Sequence, residues 1–310
     1  MLVCARVEPV PDAALPPPRP EGTRSRVALY AVAAVVVLAL VETLVAVIAP
    51  LRAPRDRDWS AAERAVRAGF QPGDLIVAAP AWADPIMRMH LGDLISLATA
   101  GRMDGARYAR VWEISQRGAR APEGRDGRVV AESRHGALTV RRIERAGAAV
   151  SYDFVARWNE ARVSRVDAGG AVIPCPFQND RFQCPNIGFN YVKRQIVEVD
   201  TGLRQALLAQ PVERARVVVE FPAVLLGREI AVATGLSNVW MRKVAKGTVD
   251  LTVAIDGRPA IHVTTANQSG WLITHVDTAA RAGQTAAVRF EVSSPAPYAR
   301  HFAFAAEARS

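Results

Sequence analysis

Lysine is nearly missing from this chain. Only Lys193, Lys243 and Lys246 occur, so almost all of the 39 basic residues are arginine, scattered among 30 acids. The net charge of +9 would suit a nucleic-acid binder. Yet there is no basic helix, no zinc-ligand spacing and no aromatic-studded RNA motif, so no nucleic acid partner is expected. The arginine excess reads as composition bias with a mild attraction for anionic lipid or polysaccharide. Catalytic signatures are absent too: no G-x-S-x-G, H-E-x-x-H, P-loop or G-x-G-x-x-G occurs. His90, His135, His262, His275 and His301 stand singly, none at i, i+4 from another, and lone histidines are more often hydrogen-bonded structural groups than ligands. Asp250 and Asp256 could flank a substrate, but a strand end and its turn explain them better as solvated polar positions. No catalytic residue, metal or cofactor is expected, and an enzyme is the less favoured reading.

Long hydrophobic runs are confined to one, Val27–Ala49, reading VALYAVAAVVVLALVETLVAVIA. A bilayer-spanning helix takes about 20 residues. Roughly a dozen Val, Leu and Ile contribute about −0.3 to −0.6 kcal/mol each to insertion, and Glu42, off centre, opposes by at most ~3 kcal/mol. A cleaved signal peptide would carry a shorter apolar region of ~7–15 residues. The run therefore reads as a transmembrane helix, 27–49, that stays in place. Glu42 either makes a helix–helix contact in the membrane or reaches for head groups or Arg52 at the exit; the residues leave both open. Residues 1–26, with PDAALPPPRPEG, cannot form a packed core and read as a disordered cytoplasmic tail.

Cysteine is scarce: Cys4, Cys175 and Cys184. The last two lie close in IPCPFQNDRFQCPN, around Asn179-Asp180, and read as a small hairpin closed by a disulfide, with two buried free thiols as the alternative. A disulfide needs an oxidising compartment. Flanking charge leaves orientation unsettled, because arginines stand on both sides of the anchor. The expected topology is therefore a bacterial inner-membrane protein, single-pass, N-terminus cytoplasmic, main domains periplasmic.

The 310-residue chain leaves about 260 residues after the anchor, enough for two domains. Ser60-Ala-Ala-Glu63 has the capping-box pattern of a helix start. Leu75–Ala79 is a short apolar run that reads as a buried strand. Asp84-Pro85 supplies an N-cap and a helix start. YARVWEIS (108–115) and GALTVRRIE (136–144) read as further strands. This implies a small α/β domain over 58–147. From 150 the pattern alternates with period two: 152–158, 217–221, 228–234, 249–255 with its Asp256-Gly257 turn, 288–292 and 301–304. Seven or eight such strands, by rough count, predict an antiparallel β-sandwich over 150–310.

The stretches GREIAVATGLSNVWMRK, VDLTVAIDGRPAIHVTTANQSGWLITHVDT and AAVRFEVSSPAPYARHFAFAAEAR resemble the jelly-roll, galactose-binding-like family of carbohydrate-binding modules over about 190–310. That resemblance implies a fold whose members bind sugars, lipids or other proteins. FQPGDLIVAAPAWADPIMRMHLGD and RYARVWEIS are similar to the soluble extracytoplasmic region of bacterial mannosyltransferase-like membrane enzymes. Those enzymes have many membrane helices with acidic catalytic residues between them. This chain has one span, so transferase activity is not carried over.

Candidate ligand-binding residues cluster in sandwich loops: Asn238, Trp240 and Arg242; Asn267 and Trp271; Arg300 and His301. Sugars are held by an aromatic face plus polar side chains, which makes Trp with Asn and Arg suitable chemistry. Packing within the sheet is the alternative for both tryptophans. Asn267-Gln-Ser269 is a sequon and marks an exposed loop. The leading functional reading is a membrane-anchored accessory protein in cell-envelope glycan or glycolipid metabolism, with an envelope saccharide or glycolipid and the membrane as partners. Its competitors are a membrane-tethered glycosidase or glycosyltransferase, and a scaffold for a multi-spanning membrane glycosyltransferase.

Overall fold

A computed structural model of the protein describes residues 21–51, 53–186, 188–200, 202–237, 240, 243, 246–267 and 270–310. Most of the expected tail lies outside these residues. Helix α1 spans Glu21–Leu51, and its apolar stretch Val27–Ile48 is 22 residues long. At 1.5 Å per residue that stretch is about 33 Å, enough to cross a ~30 Å hydrocarbon core. Side chains from Val27 to Val47, Glu42 included, are exposed. A helix of this kind serves as a membrane anchor or as a signal sequence.

Pro54–Ser310 forms one separate unit. It begins with α2, Asp56–Arg67, which buries Trp59, Ala62 and Val66 along one stripe. The helix starts a turn earlier than the Ser60 capping box implied. The Asp58 carboxylate accepts the Arg55 N–H at 3.1 Å and caps the end, which leaves Ser60 and Glu63 inside the helix. Strand β1, Leu75–Ala79, follows, then α3, Asp84–Leu91, and α4, Leu97–Ala100. Asp84 is the first residue of α3 rather than its cap; its carboxylate instead accepts from Arg88 Nε at 2.6 Å, one turn on. Strands β2, Arg110–Gln116, β3, Arg128–His135, and β4, Leu138–Glu144, complete a four-stranded sheet of order β1-β2-β4-β3. β1 and β2 run parallel, while β4 is antiparallel to both β2 and β3. The helices between β1 and β2 supply the crossover that a parallel pair requires. Strand β1 is buried on both faces: Ile76 and Ala78 pack with Trp59, Met87 and Leu91, and Leu75, Val77 and Ala79 pack with Val111 and Ile143.

The rest is an antiparallel β-sandwich, as the alternation implied. Its strands are β5 Val150–Asp153, β6 Arg162–Asp167, β7 Val172–Pro174, β8 Phe177–Gln178, β9 Arg181–Gln183, β10 Tyr191–Val199, β11 Gly202–Ala209, β12 Ala215–Leu225, β13 Glu229–Leu236, β14 Val249–Ile255, β15 Arg258–Thr265, β16 Leu272–Asp277, β17 Thr285–Ser293 and β18 Phe302–Arg309. One sheet runs β16-β13-β18-β11-β10-β9-β8, with β5 also on β18; the other runs β15-β14-β17-β12-β6-β7. Phe154, Phe221, Phe290, Phe302 and Phe304 fill the space between them, with the Phe154–Phe290 and Phe221–Phe154 rings edge-on at 5.1 and 5.0 Å.

Strand β5 is shorter than its alternation suggested. Asp153 Oδ1 accepts the N–H groups of Val155 and Ala156 at 3.0 and 2.9 Å, and this turn ends the strand before Trp158. The described strands also exceed the expected number. The short ribbon β7–β9 carries too few residues to show a period. The expected small hairpin is present there: Asn179 and Asp180, both at positive φ (50° and 55°), turn β8 into β9. Beside it Cys175 and Cys184 lie at disulfide distance, with 1.98 Å between sulfurs.

Candidate functional site

The loop from β17 to β18 makes a tight excursion at one end of the sandwich. Ser294 Oγ donates to the Thr248 carbonyl at 2.6 Å, and the Arg300 N–H closes a turn on the Pro297 carbonyl at 3.1 Å. Ala299 sits at φ 57°. The turn throws Tyr298 outward, 82% exposed, and draws Arg300 inward, 2% exposed. Facing it are Phe189, 64% exposed before β10, and the segment Gln210–Glu213 after β11. Together they bound a cavity of about 370 Å³, lined by Phe189, Gln210, Val212, Tyr298, Arg300 and His301 among others.

The cleft is mostly apolar with a few placed polar groups. Gln210 Nε2 donates to His301 Nδ1 at 2.9 Å, which fixes both side chains in the wall. Arg300 Nη1 donates to Asn267 Oδ1 at 2.5 Å and ties the loop after β15 to this site. Burial lowers the Arg300 guanidinium from its ordinary value. Two exposed aromatic rings lining one cleft with a glutamine–histidine pair can do one thing well: pack on a weakly polar face while hydrogen-bonding its hydroxyls.

Of the residues singled out from the sequence, the structure brings Asn267, Arg300 and His301 together here. Trp240 is 70% exposed in the β13–β14 loop, and its companions Asn238 and Arg242 lie outside the described residues. Trp271 is half-buried. Its Nε1 donates to the Gly202 carbonyl at 2.9 Å and its ring lies 5.1 Å from the Arg204 guanidinium. A Cβ at Gly235 would come within 3.1 Å of that ring, so glycine is what admits the tryptophan. Sequence reasoning passed over Phe189, Gln210 and Tyr298. The signal for Tyr298 was there: an aromatic flanked by Pro295, Pro297 and serines has no strand to pack into.

Among the described residues no group of three or more His, Cys, Asp or Glu side chains is placed to hold a metal. Asp250 and Asp256 are both engaged: Asp250 accepts from Thr264 Oγ1 at 2.7 Å, and Asp256 accepts from Arg281 and the Ala287 N–H at 2.5 and 2.9 Å.

No protein-family model matches the chain, and no curated protein matches it. Solved structures with a similar arrangement include the CBM51-2 and INT domains of Clostridium perfringens ZmpB, at 11% identity and TM-score 0.29, covering 38% of this chain and 26% of that one. The CBM51 of Clostridium perfringens GH95, solved in complex with methyl-galactose, matches at 10% identity and TM-score 0.27 over 37% of this chain and 80% of its own. The CBM51-2 and INT domains with GlcNAc match at 12% and 0.31 over 60% and 40%. The chain thus spans only about a quarter to two fifths of the ZmpB structures. The sandwich itself rests on the strand pairing described above.

Proposed function

We propose that the protein is a membrane-anchored, saccharide-binding accessory protein of the bacterial cell envelope, with α1 in the inner membrane and the Pro54–Ser310 unit in the periplasm. The observation that carries this reading is the cleft lined by the exposed Tyr298 and Phe189 rings and by the Gln210–His301 pair. Two exposed aromatic rings here border one concave surface whose lining also carries hydrogen-bonding groups. The Cys175–Cys184 pair supports the reading of an oxidising compartment for the unit and, with it, of a cytoplasmic N-terminus. A glycosidase needs two carboxyl groups flanking the bond it cleaves; among the described residues Glu213 is the one acid lining this cleft.

The test is a glycan array followed by calorimetric titration, using the full chain in neutral detergent micelles. At least one envelope saccharide or glycolipid head group should bind. Tyr298→Ala should weaken it about tenfold, equal to about 1.4 kcal/mol, with thermal unfolding little changed, since Tyr298 is 82% exposed. If no saccharide binds, the proposal fails. Co-purification with a multi-spanning glycosyltransferase, without saccharide binding, would favour a scaffold instead.

A further inference from the structure

A second and larger cleft, about 610 Å³, opens within the Pro54–Ser310 unit where the four-stranded sheet meets the sandwich. It lies beyond the carboxyl ends of the parallel pair β1–β2, where open sheets with parallel strands characteristically take ligands. Its walls come from the end of β1, from Trp82, from the segment around Arg102–Asp104, from Arg120–Glu123 and from the start of β11. Four guanidinium groups line it, and three have their acids: Arg88 with Asp84 at 2.6 Å, Arg102 with Glu123 at 2.5 Å, Arg120 with Glu113 at 3.0 Å.

Arg204 is different. Among the described residues no ion pair or hydrogen bond is made by its guanidinium, and its Nη1 is buried without an acceptor. What holds it is the Trp271 ring, 5.1 Å away, with that ring in turn pinned to the Gly202 carbonyl. Asp104 is near enough to act on it electrostatically but is engaged elsewhere, through two 2.9 Å bonds to Arg309 and one of 2.8 Å from the Ala106 N–H. Burial pushes the Arg204 group down to about 10, so it keeps its charge at neutral pH. A half-buried cation beside an aromatic ring, in the wall of a cleft, lacks only an acceptor; guanidinium geometry suits a two-oxygen anion. At the rim Trp82, 63% exposed, offers a flat face of the kind that packs on a pyranose.

We infer that this cleft is a second binding site, in which Arg204 takes the carboxylate or phosphate of an acidic saccharide whose ring rests on Trp82. The site is separate from the Tyr298 cleft and does not depend on it.

The probes are sodium glucuronate, inorganic phosphate and, as the uncharged control, glucose, titrated calorimetrically at low ionic strength into the full chain in neutral detergent. At least one of the two anions should bind and glucose should not. Phosphate without glucuronate assigns the anion to a phosphate group; glucuronate without phosphate assigns it to a uronate. Arg204→Gln should reduce the affinity at least tenfold, and Tyr298→Ala should leave it unchanged. Trp82→Ala should weaken glucuronate several-fold and leave phosphate unaffected. Arg204→Lys keeps the charge over Trp271 but loses the planar fork, so an intermediate affinity separates loss of the ligand from loss of the fold. Failure of both anions to bind, or equal binding by the wild-type and Arg204→Gln proteins, overturns the inference.

Discussion

Glu113 sits in the middle of β2, fully buried, and its carboxylate is the centre of a small polar network. Arg120 and Arg141 approach it at 3.0 and 2.9 Å, and the Ala121 N–H donates at 2.6 Å. Arg141 also donates to Ser115 Oγ at 2.9 Å and pairs with Glu132 at 2.6 Å. A buried acid like this is held in place by its partners, and removing its charge strands them. Glu113→Gln, which keeps the shape, should therefore destabilise the unit by roughly 3 kcal/mol, read as a lower midpoint in urea unfolding. A change under about 1 kcal/mol, the size of a surface pair, would mean the network contributes little. The contrast with Arg289 and Glu220, 2.8 Å apart but only partly buried, is one of burial and not of distance.

At the scale of elements, the β7–β9 ribbon is the least self-sufficient part of the sandwich. Its strands are two or three residues long, and Phe177 is 51% exposed. What secures it is the Cys175–Cys184 link across nine positions, both residues buried, with the Trp158, Phe177 and Phe182 rings packed edge-on behind it. The chain-entropy argument gives closure of so short a loop about 2.5–3 kcal/mol. Cys175→Ser should lower unfolding stability by up to that amount while circular dichroism stays sandwich-like. Free labelling of both cysteines in denatured, unreduced protein would contradict the link and remove the main support for a periplasmic unit.

Across the whole molecule, acid should be the sensitive direction. Hydrogen bonds from the Arg55 N–H to Asp58, from Arg67 to Glu63 and Asp93, and from Arg281 to Asp256 hold these carboxyls below their ordinary values. For Asp104 burial pushes upward, but the paired bonds from Arg309 outweigh it and the net shift is also down. A carboxyl depressed in the folded state stabilises fully above its unfolded value, 3.8 for an aspartate, and that contribution is lost as pH falls through the folded value. Glu307 runs the other way: burial raises it, so its contribution declines as pH climbs above 4.5. The depressed groups outnumber it. Stability should fall steeply below about pH 4, and Asp104→Asn should make that fall shallower while costing stability at neutral pH. An unchanged slope in the variant would show that Asp104 has no part in it.

Patterns carried by neighbouring residues were legible in the chain itself. The Val27–Ala49 run, the buried strand Leu75–Ala79, the Asn179-Asp180 hairpin and the period-two strands such as Val249–Ile255 each depend on backbone geometry and on the character of neighbouring side chains. Other features depend on distant partners. Strands β13 and β18 are buried at almost every position, on both faces, so little alternation survives in the burial of either, while β17, equally flanked by two strands, still alternates. Near the end of β18, Arg309 finds Asp104 across 205 positions of chain, a pairing no spacing announces. The Tyr298 cleft joins residues before β10, after β11 and before β18, and Arg204 meets Trp271 only because the segment before β16 reaches the start of β11. Charge, span and strand period follow from the chain locally. Which side chains share a cleft, and which cation is left without an acid, is decided by long-range packing, because burial and pairing are properties of a neighbourhood and not of a sequence position.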